Sequence, residues 1–169
     1  PEKIPGFADH ALNFYDRASI PGARDAVRDF HGNRIVVGIF GAPYKCPPAP
    51  YEAALLLREH FARAGKDVEM DVFTPQPMSL PALGQAGCSI IENRLSAYGI
   101  NFMPNLKASA VEKGAVIFPS GKREFDLLIG VPPHRAPAVL AQSGLLDGDW
   151  IKINPRTMET KFAGVYAAG

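Results

Sequence analysis

The residues with most chemistry to offer lie together in Lys45-Cys46-Pro47-Pro48-Ala49-Pro50-Tyr51-Glu52. A thiol in a loop just ahead of a helix, with a lysine beside it, sits in positive potential. That potential favours the thiolate, the form that attacks sulfur. Cys46 is therefore the candidate nucleophile. The plainer reading is a cysteine packed beneath a rigid proline-rich loop, since free cysteines are mostly small buried hydrophobes. Glu52 falls in the first helical turn. It either relays protons to a sulfur leaving group, if the loop folds back over the helix start, or only steadies the helix dipole. Cys88 stands in a weaker helical stretch and reads as structural. His134 and Arg135 follow a second apolar strand, at the end of the sheet where α/β proteins bind ligands; a surface cation pair is an equal reading. His10, His31 and His60 are scattered without metal-ligand spacing.

The elements that position these residues follow from hydropathy. Arg34–Phe40 is an unbroken β-branched and aromatic run, which reads as a buried parallel strand. A Gly/Pro-rich crossing follows, then a helix over Tyr51–Ala64 with Ala54, Leu57, Phe61 and Ala64 on one face and Gly65 as its stop. Val68–Phe73 is the next strand, completing a βαβ unit. Ile91, Leu95 and Tyr98 mark another helix closed by Gly99, with Gly84 and Gly87 blurring its start. Asn101–Met103 reads as a short strand. Segments 106–112, 115–118 and 122–125, broken at Lys113-Gly114 and Ser120-Gly121, argue for a small antiparallel meander. Asp126–Val131 returns to a solid apolar strand. Upstream, residues 1–20 read as an irregular lead-in, and Ser19 is placed to cap a short helix carrying Ala23, Val27 and Phe30. Downstream, 136–142 reads as a helical turn, Gly144, Gly148 and Asp149 as loop residues, and 151–153 and 165–168 as strands.

A strand–turn–helix of this kind is where a doubly wound sheet normally holds a dinucleotide, through G-x-G-x-x-G. Here Gly38 and Gly41 are the glycines left to approach a cofactor, and Ala42, Pro43 and Cys46 follow them. Prolines remove the N–H donors that would cradle a pyrophosphate. Where the second strand should end in a ribose-binding acid, Phe73 and Thr74 appear. Both observations argue against NAD(P).

The chain has 169 residues, enough for one domain with a proper core and too few for two ordinary ones. Its 18 basic and 17 acidic residues nearly cancel, and no Lys/Arg run marks a nucleic-acid footprint, so nucleic acid is set aside. No apolar stretch reaches the roughly 18 residues of a transmembrane helix. Two cysteines make neither a disulfide framework nor a four-ligand zinc site.

The element order, with Glu124-Phe125-Asp126-Leu127-Leu128-Ile129-Gly130 after the meander, resembles the second dinucleotide-type domain of the pyridine nucleotide-disulfide oxidoreductase flavoproteins. The tail, from Ile153-Asn154 through Thr157 and Thr160 to Gly164-Val165-Tyr166-Ala167-Ala168-Gly169, looks like the segment with which those enzymes return to their FAD domain. In them an aspartate normally follows the last glycine, and the sequence stops short of it. Cys46-Pro47-Pro48-Ala49-Pro50-Tyr51-Glu52 is similar to the stretch around a redox cysteine in sulfide:quinone oxidoreductase and the flavoprotein of flavocytochrome c sulfide dehydrogenase.

The resemblance implies an α/β fold: a Rossmann-like parallel sheet with flanking helices plus a three-stranded antiparallel meander. It divides the chain into a lead-in (1–33), a Rossmann-like domain (34–135, meander near 106–125) and a return segment (136–169) toward the FAD domain, the whole being a fragment of a two-dinucleotide-binding-domain flavoprotein. It further implies FAD held mainly by a domain outside this sequence, a second redox cysteine as the partner of Cys46, sulfide or a related sulfur substrate, and a quinone or cytochrome acceptor. His134, Arg135 and Gly169 would lie on the flavin side, and the fragment alone would do none of the redox chemistry. Two alternatives stay open: an NAD(P)H-dependent flavoprotein reductase domain with a non-standard nucleotide site, and a catalytically empty Rossmann-like module used for binding or assembly.

Overall fold

The computed structural model describes residues 3–168, which divide into two compact units, Pro1–Pro133 and His134–Gly169. In the first, five parallel strands form one sheet: β1 (Leu12–Asn13), β2 (Arg34–Ile39), β3 (Glu69–Phe73), β4 (Ile100–Met103) and β8 (Leu127–Val131), in the order β1-β8-β2-β3-β4. The intervening β5 (Ala110–Glu112), β6 (Ala115–Phe118) and β7 (Gly121–Glu124) make the antiparallel meander that the sequence predicts.

Strand periodicity sends alternate residues of β2 to opposite faces. Ile35, Val37 and Ile39 pack with Phe30, Tyr51, Ala54, Phe61, Cys88 and Leu95, the contribution of α2 (Ile20–Arg28), α3 (Ala49–Arg63), α4 (Gly84–Ala97) and their ends. Val36 and Phe40 face the other way, into Phe7, Phe73, Val111, Val116, Phe118 and Leu128. Thus α2–α4 cover one face, and the meander with the short α1 (Phe7–His10) covers the other. On this second face Phe7, Phe40, Phe73 and Phe118 meet edge to face in a chain, with centroids 4.9 to 5.1 Å apart.

Two expectations change in the first unit, and a third holds. The lead-in is not wholly irregular: Phe7 is fully buried against Gly130, and Leu12–Asn13 then pairs in parallel with β8 as an edge strand. Ser19 stands at the start of α2 but makes no cap bond; its hydroxyl donates to Asp16 Oδ2 at 3.2 Å instead, and α2 ends at Arg28, before His31-Gly32. In α3, Gly65 takes the left-handed conformation that closes the helix, its N–H on the Ala62 carbonyl and that of Lys66 on Phe61.

The second unit holds α5 (Ala138–Gln142) and a small antiparallel pair, β9 (Leu146–Asp147) with β10 (Trp150–Ile151). Leu146–Asp147, which lies between the expected loop residues Gly144 and Gly148, is therefore paired. Residues 165–168, expected as a strand, supply only one isolated bridge, Glu159 to Tyr166. Val165 and Tyr166 are exposed and have no apolar layer to lie on, which removes the driving force for a strand there.

Among the described residues no helix is long and apolar enough to cross a membrane, and no group of His, Cys, Asp and Glu is gathered as a metal site requires.

Candidate functional site

All five strands of the sheet are parallel, so the turn that leaves β2 lies at its carboxyl edge. Cys46 is exposed there and free, and its backbone is left-handed, with φ 47°. For a residue with a Cβ that conformation costs about 1–2 kcal/mol, so neighbours must hold it. The Cys46 carbonyl accepts two hydrogen bonds, from Ala49 N–H at 3.0 Å and from the Tyr15 hydroxyl at 2.9 Å. One residue on, the Pro47 carbonyl accepts from the Tyr44 hydroxyl at 3.1 Å. The prolines stiffen the turn, and two phenols pin its carbonyls from beneath.

Tyr44 and Tyr51 are almost fully buried, and Tyr51 donates to the Ser79 carbonyl at 2.5 Å. Burial pushes the Tyr44 phenol up to about 12, with the neighbouring Cys46 adding to the rise. The Tyr15 and Tyr51 phenols rise further still, again chiefly through burial, with Tyr44 beside each. All three therefore stay protonated, as donors, throughout the ordinary pH range.

The start of α3 decides what this turn can hold. A phosphate site at a helix N-terminus needs free N–H groups pointing outward. Pro47, Pro48 and Pro50 have none. Ala49 N–H is spent on Cys46, and the N–H groups of Tyr51 and Glu52 both go to the Pro48 carbonyl at 3.1 Å. At the end of β3, Thr74 is fully buried: its N–H binds Met103, its carbonyl accepts from Leu106 and its hydroxyl accepts from Gln76 N–H. The residues present do not fit a dinucleotide pyrophosphate at this turn.

The other expected site residues fall in different places. Glu52 is exposed on the first turn of α3, and no described hydrogen bond or ion pair joins it to Cys46. Gly38 is buried; a Cβ there would come within 2.4 Å of the Phe73 ring, so the missing side chain makes room for that ring. Gly41, nearer the surface, gives the same room to Pro133, whose backbone would lie 3.1 Å from an added Cβ. His134 is half-buried and Arg135 exposed, and they open the second unit. Gly169 lies outside the described residues. Cys88 is fully buried in α4.

Tyr15, Tyr44 and Ser79 escape sequence reasoning as site residues. Tyr44 had a signal, an aromatic two places before the cysteine inside a Gly/Pro turn. Tyr15 had none, because its bond to Cys46 spans 31 residues of chain.

No family model matches the chain, and no curated protein matches it. Solved structures do. The sulfide:quinone oxidoreductase of Aquifex aeolicus superposes with a TM-score of 0.69 at 20% identity, over 84% of this chain and 36% of that one. The ferredoxin reductase for the CYP199A2 system of Rhodopseudomonas palustris gives 0.68 at 18% identity, over 88% and 35%. Putidaredoxin reductase, in its covalent complex with putidaredoxin, gives 0.66 at 18% identity, over 92% and 36%. The fold is that of the pyridine nucleotide-disulfide oxidoreductase flavoproteins. The chain spans about a third of the length of these flavoprotein chains. Other structures with this fold hold a nicotinamide nucleotide, among them NDH2 of Plasmodium falciparum in complex with NADH and an engineered water-forming NADPH oxidase bound to NADPH.

Proposed function

We propose that this chain is the middle part of an FAD-dependent oxidoreductase in which Cys46 is the reacting sulfur, with sulfide or a related sulfur compound as substrate and a quinone or cytochrome as acceptor. The carrying observation is that the helix start which would grip phosphates, Pro47 to Glu52, has three prolines and its remaining N–H groups spent internally, and that an exposed thiol stands just ahead of it. In this reading a sulfide anion attacks the disulfide that joins Cys46 to a second cysteine outside this sequence. A sulfur–sulfur bond forms to one cysteine as the old one breaks, and the other leaves as thiolate. FAD, held by a domain beyond this sequence, supplies two-electron oxidation of the bound sulfur. This chain's own part is to hold Cys46 outward at the edge of the sheet, with Tyr44 buried beneath the turn as a fixed donor. Glu52, on the first turn of α3, is the chain's candidate proton carrier. Gly41 in the first unit and His134 and Arg135 in the second are the candidates for contact with the flavin domain.

The reading is tested on the chain itself with inorganic tetrasulfide and mass mapping of the tryptic peptides. Added sulfur on Cys46 and none on Cys88 is the expected result; an unmodified Cys46 would refute it.

The NADH- and NADPH-bound structures that share this fold favour a second reading, a nicotinamide-dependent reductase domain. The closed turn weighs against it. Saturable micromolar binding of NADH or NADPH to this chain would reverse that judgement.

A further inference from the structure

The left-handed backbone at Cys46 is an uphill conformation held by one local and one distant bond. The local bond, from Ala49 N–H, belongs to the entry into α3 and would form with Cys46 in other conformations. The distant bond comes from Tyr15, just beyond the edge strand β1, and is the one that ties the turn to the body of the sheet.

Tyr15 is itself anchored. Its N–H donates to Asn13 Oδ1 at 3.0 Å, and its ring lies edge-on to Phe14 with centroids 4.7 Å apart. Asn13 pairs with Gly130 of β8, so the phenol is referred back to the centre of the sheet. The titratable neighbours that bear on the phenol are Tyr44 and Cys46; burial by itself already keeps its proton on.

We propose that Tyr15 is a positioning residue for Cys46: its hydroxyl, by holding the Cys46 carbonyl, keeps that residue left-handed and its sulfur presented outward for attack on another sulfur. The inference rests on the reading of Cys46 as the reacting sulfur. Without the hydroxyl, Cys46 relaxes toward the ordinary right-handed or extended region, and its sulfur leaves the position in which it is presented.

The probe is an aromatic disulfide, 5,5′-dithiobis(2-nitrobenzoate), with the full chain. The Cys46 thiolate attacks one sulfur of the probe, the probe's disulfide breaks, and the coloured aryl thiolate leaves carrying the electron pair, so no other oxidant is needed. Tyr15→Phe is expected to slow exchange at Cys46 about five- to tenfold, the worth of one hydrogen bond of about 1 kcal/mol, while Cys88 stays unmodified. A chain with tetrafluorotyrosine at position 15, whose phenol ionises at far lower pH, is expected to match the unmodified chain in acid. It should fall to the Tyr15→Phe rate once that phenol loses its proton, a bend in the pH profile that loosened packing would not produce. This second chain keeps the test open if Tyr15→Phe folds poorly. Equal rates at every pH for all three chains would overturn the positioning role while leaving Cys46 reactive. Faster exchange with Cys88 now modified would also overturn it, since that reports general loosening. An inert Cys46 in the unmodified chain would overturn the underlying reading along with it.

Discussion

The two ends of the parallel sheet are built from different chemistry. At the carboxyl edge, the turn out of β2 is stiff: prolines, carbonyls held by the Tyr15 and Tyr44 phenols, and one exposed thiol with Lys45 beside it. At the amino edge, strands are aligned by charge. Asp126 Oδ2 accepts the N–H groups of Asn33 and Arg34, both at 2.9 Å, and the Arg34 guanidinium reaches Glu69 at 2.8 Å. Between them lies the aromatic chain over Gly38 and Gly130. The contrast teaches that one end sets register and the other is free to present reactive groups. A ring of solvated ion pairs adds little energy but specifies pairing, whereas a pinned turn can hold a strained residue.

If this division is right, damage at each end should stay local. The largest effect is expected from Cys46→Ser, which should abolish sulfur uptake from tetrasulfide and leave the denaturation midpoint unchanged. A large loss of stability would show that the cysteine belongs to the core after all. Next comes the middle layer: Phe73→Ala should cost about 3–5 kcal/mol in urea unfolding, as fully buried aromatics do. Below the midpoint of that transition, labelling at Cys46 should persist, and its loss would mean the turn depends on the aromatic layer. Smaller still, Cys46→Gly should raise stability by up to about 1 kcal/mol, because glycine accepts the left-handed backbone without strain, though its freer unfolded chain takes part of that back. A drop on this substitution would contradict the assignment of strain.

The smallest effect lies at the amino edge. The N–H groups of Asn33 and Arg34 hold the Asp126 carboxyl below the usual carboxylate range. A depressed folded-state value means that these bonds add stability above that range, and the stability is lost as pH falls through the depressed value. Asp126→Ala should therefore lower stability at neutral pH by less than about 1 kcal/mol, since the group is open to water. The gap to the unmodified chain should close on acidification, and a gap that widens in acid would reverse the sign worked out here. Throughout, exchange at Cys46 should not change.

Much of this was legible in the residues. Arg34–Phe40 and Asp126–Val131 are largely apolar runs, Val68–Phe73 alternates Val68, Met70 and Val72 with Glu69 and Asp71, and Lys113-Gly114 and Ser120-Gly121 punctuate the meander clearly. The edge strand Leu12–Asn13 was not legible, since two residues carry no period; it forms because Phe7 seals against Gly130. The tail misled in the other direction: 165–168 has strand-forming side chains but no layer to cover them. At the site, the sequence placed a thiol in a loop ahead of a helix but left open whether it was presented or packed beneath the prolines; its exposure comes from the fold. Its left-handed backbone could not be read either, because the bond that holds it starts far away in the chain. Gly38 looked like a cofactor glycine for a sound reason, and its neighbour across space, Phe73, gives it a packing role that only the fold reveals.

The central proposal is that the turn between β2 and α3 holds a reactive sulfur at the place where doubly wound sheets commonly hold a dinucleotide. One experiment addresses both halves: the rate of Cys46 alkylation by iodoacetamide with and without about 1 mM NADPH, at the upper end of ordinary substrate affinities, read peptide by peptide. The account predicts that Cys46 is labelled at the same rate in both, with Cys88 untouched. Protection of Cys46 by the nucleotide, or a Cys46 as inert as Cys88, would contradict it.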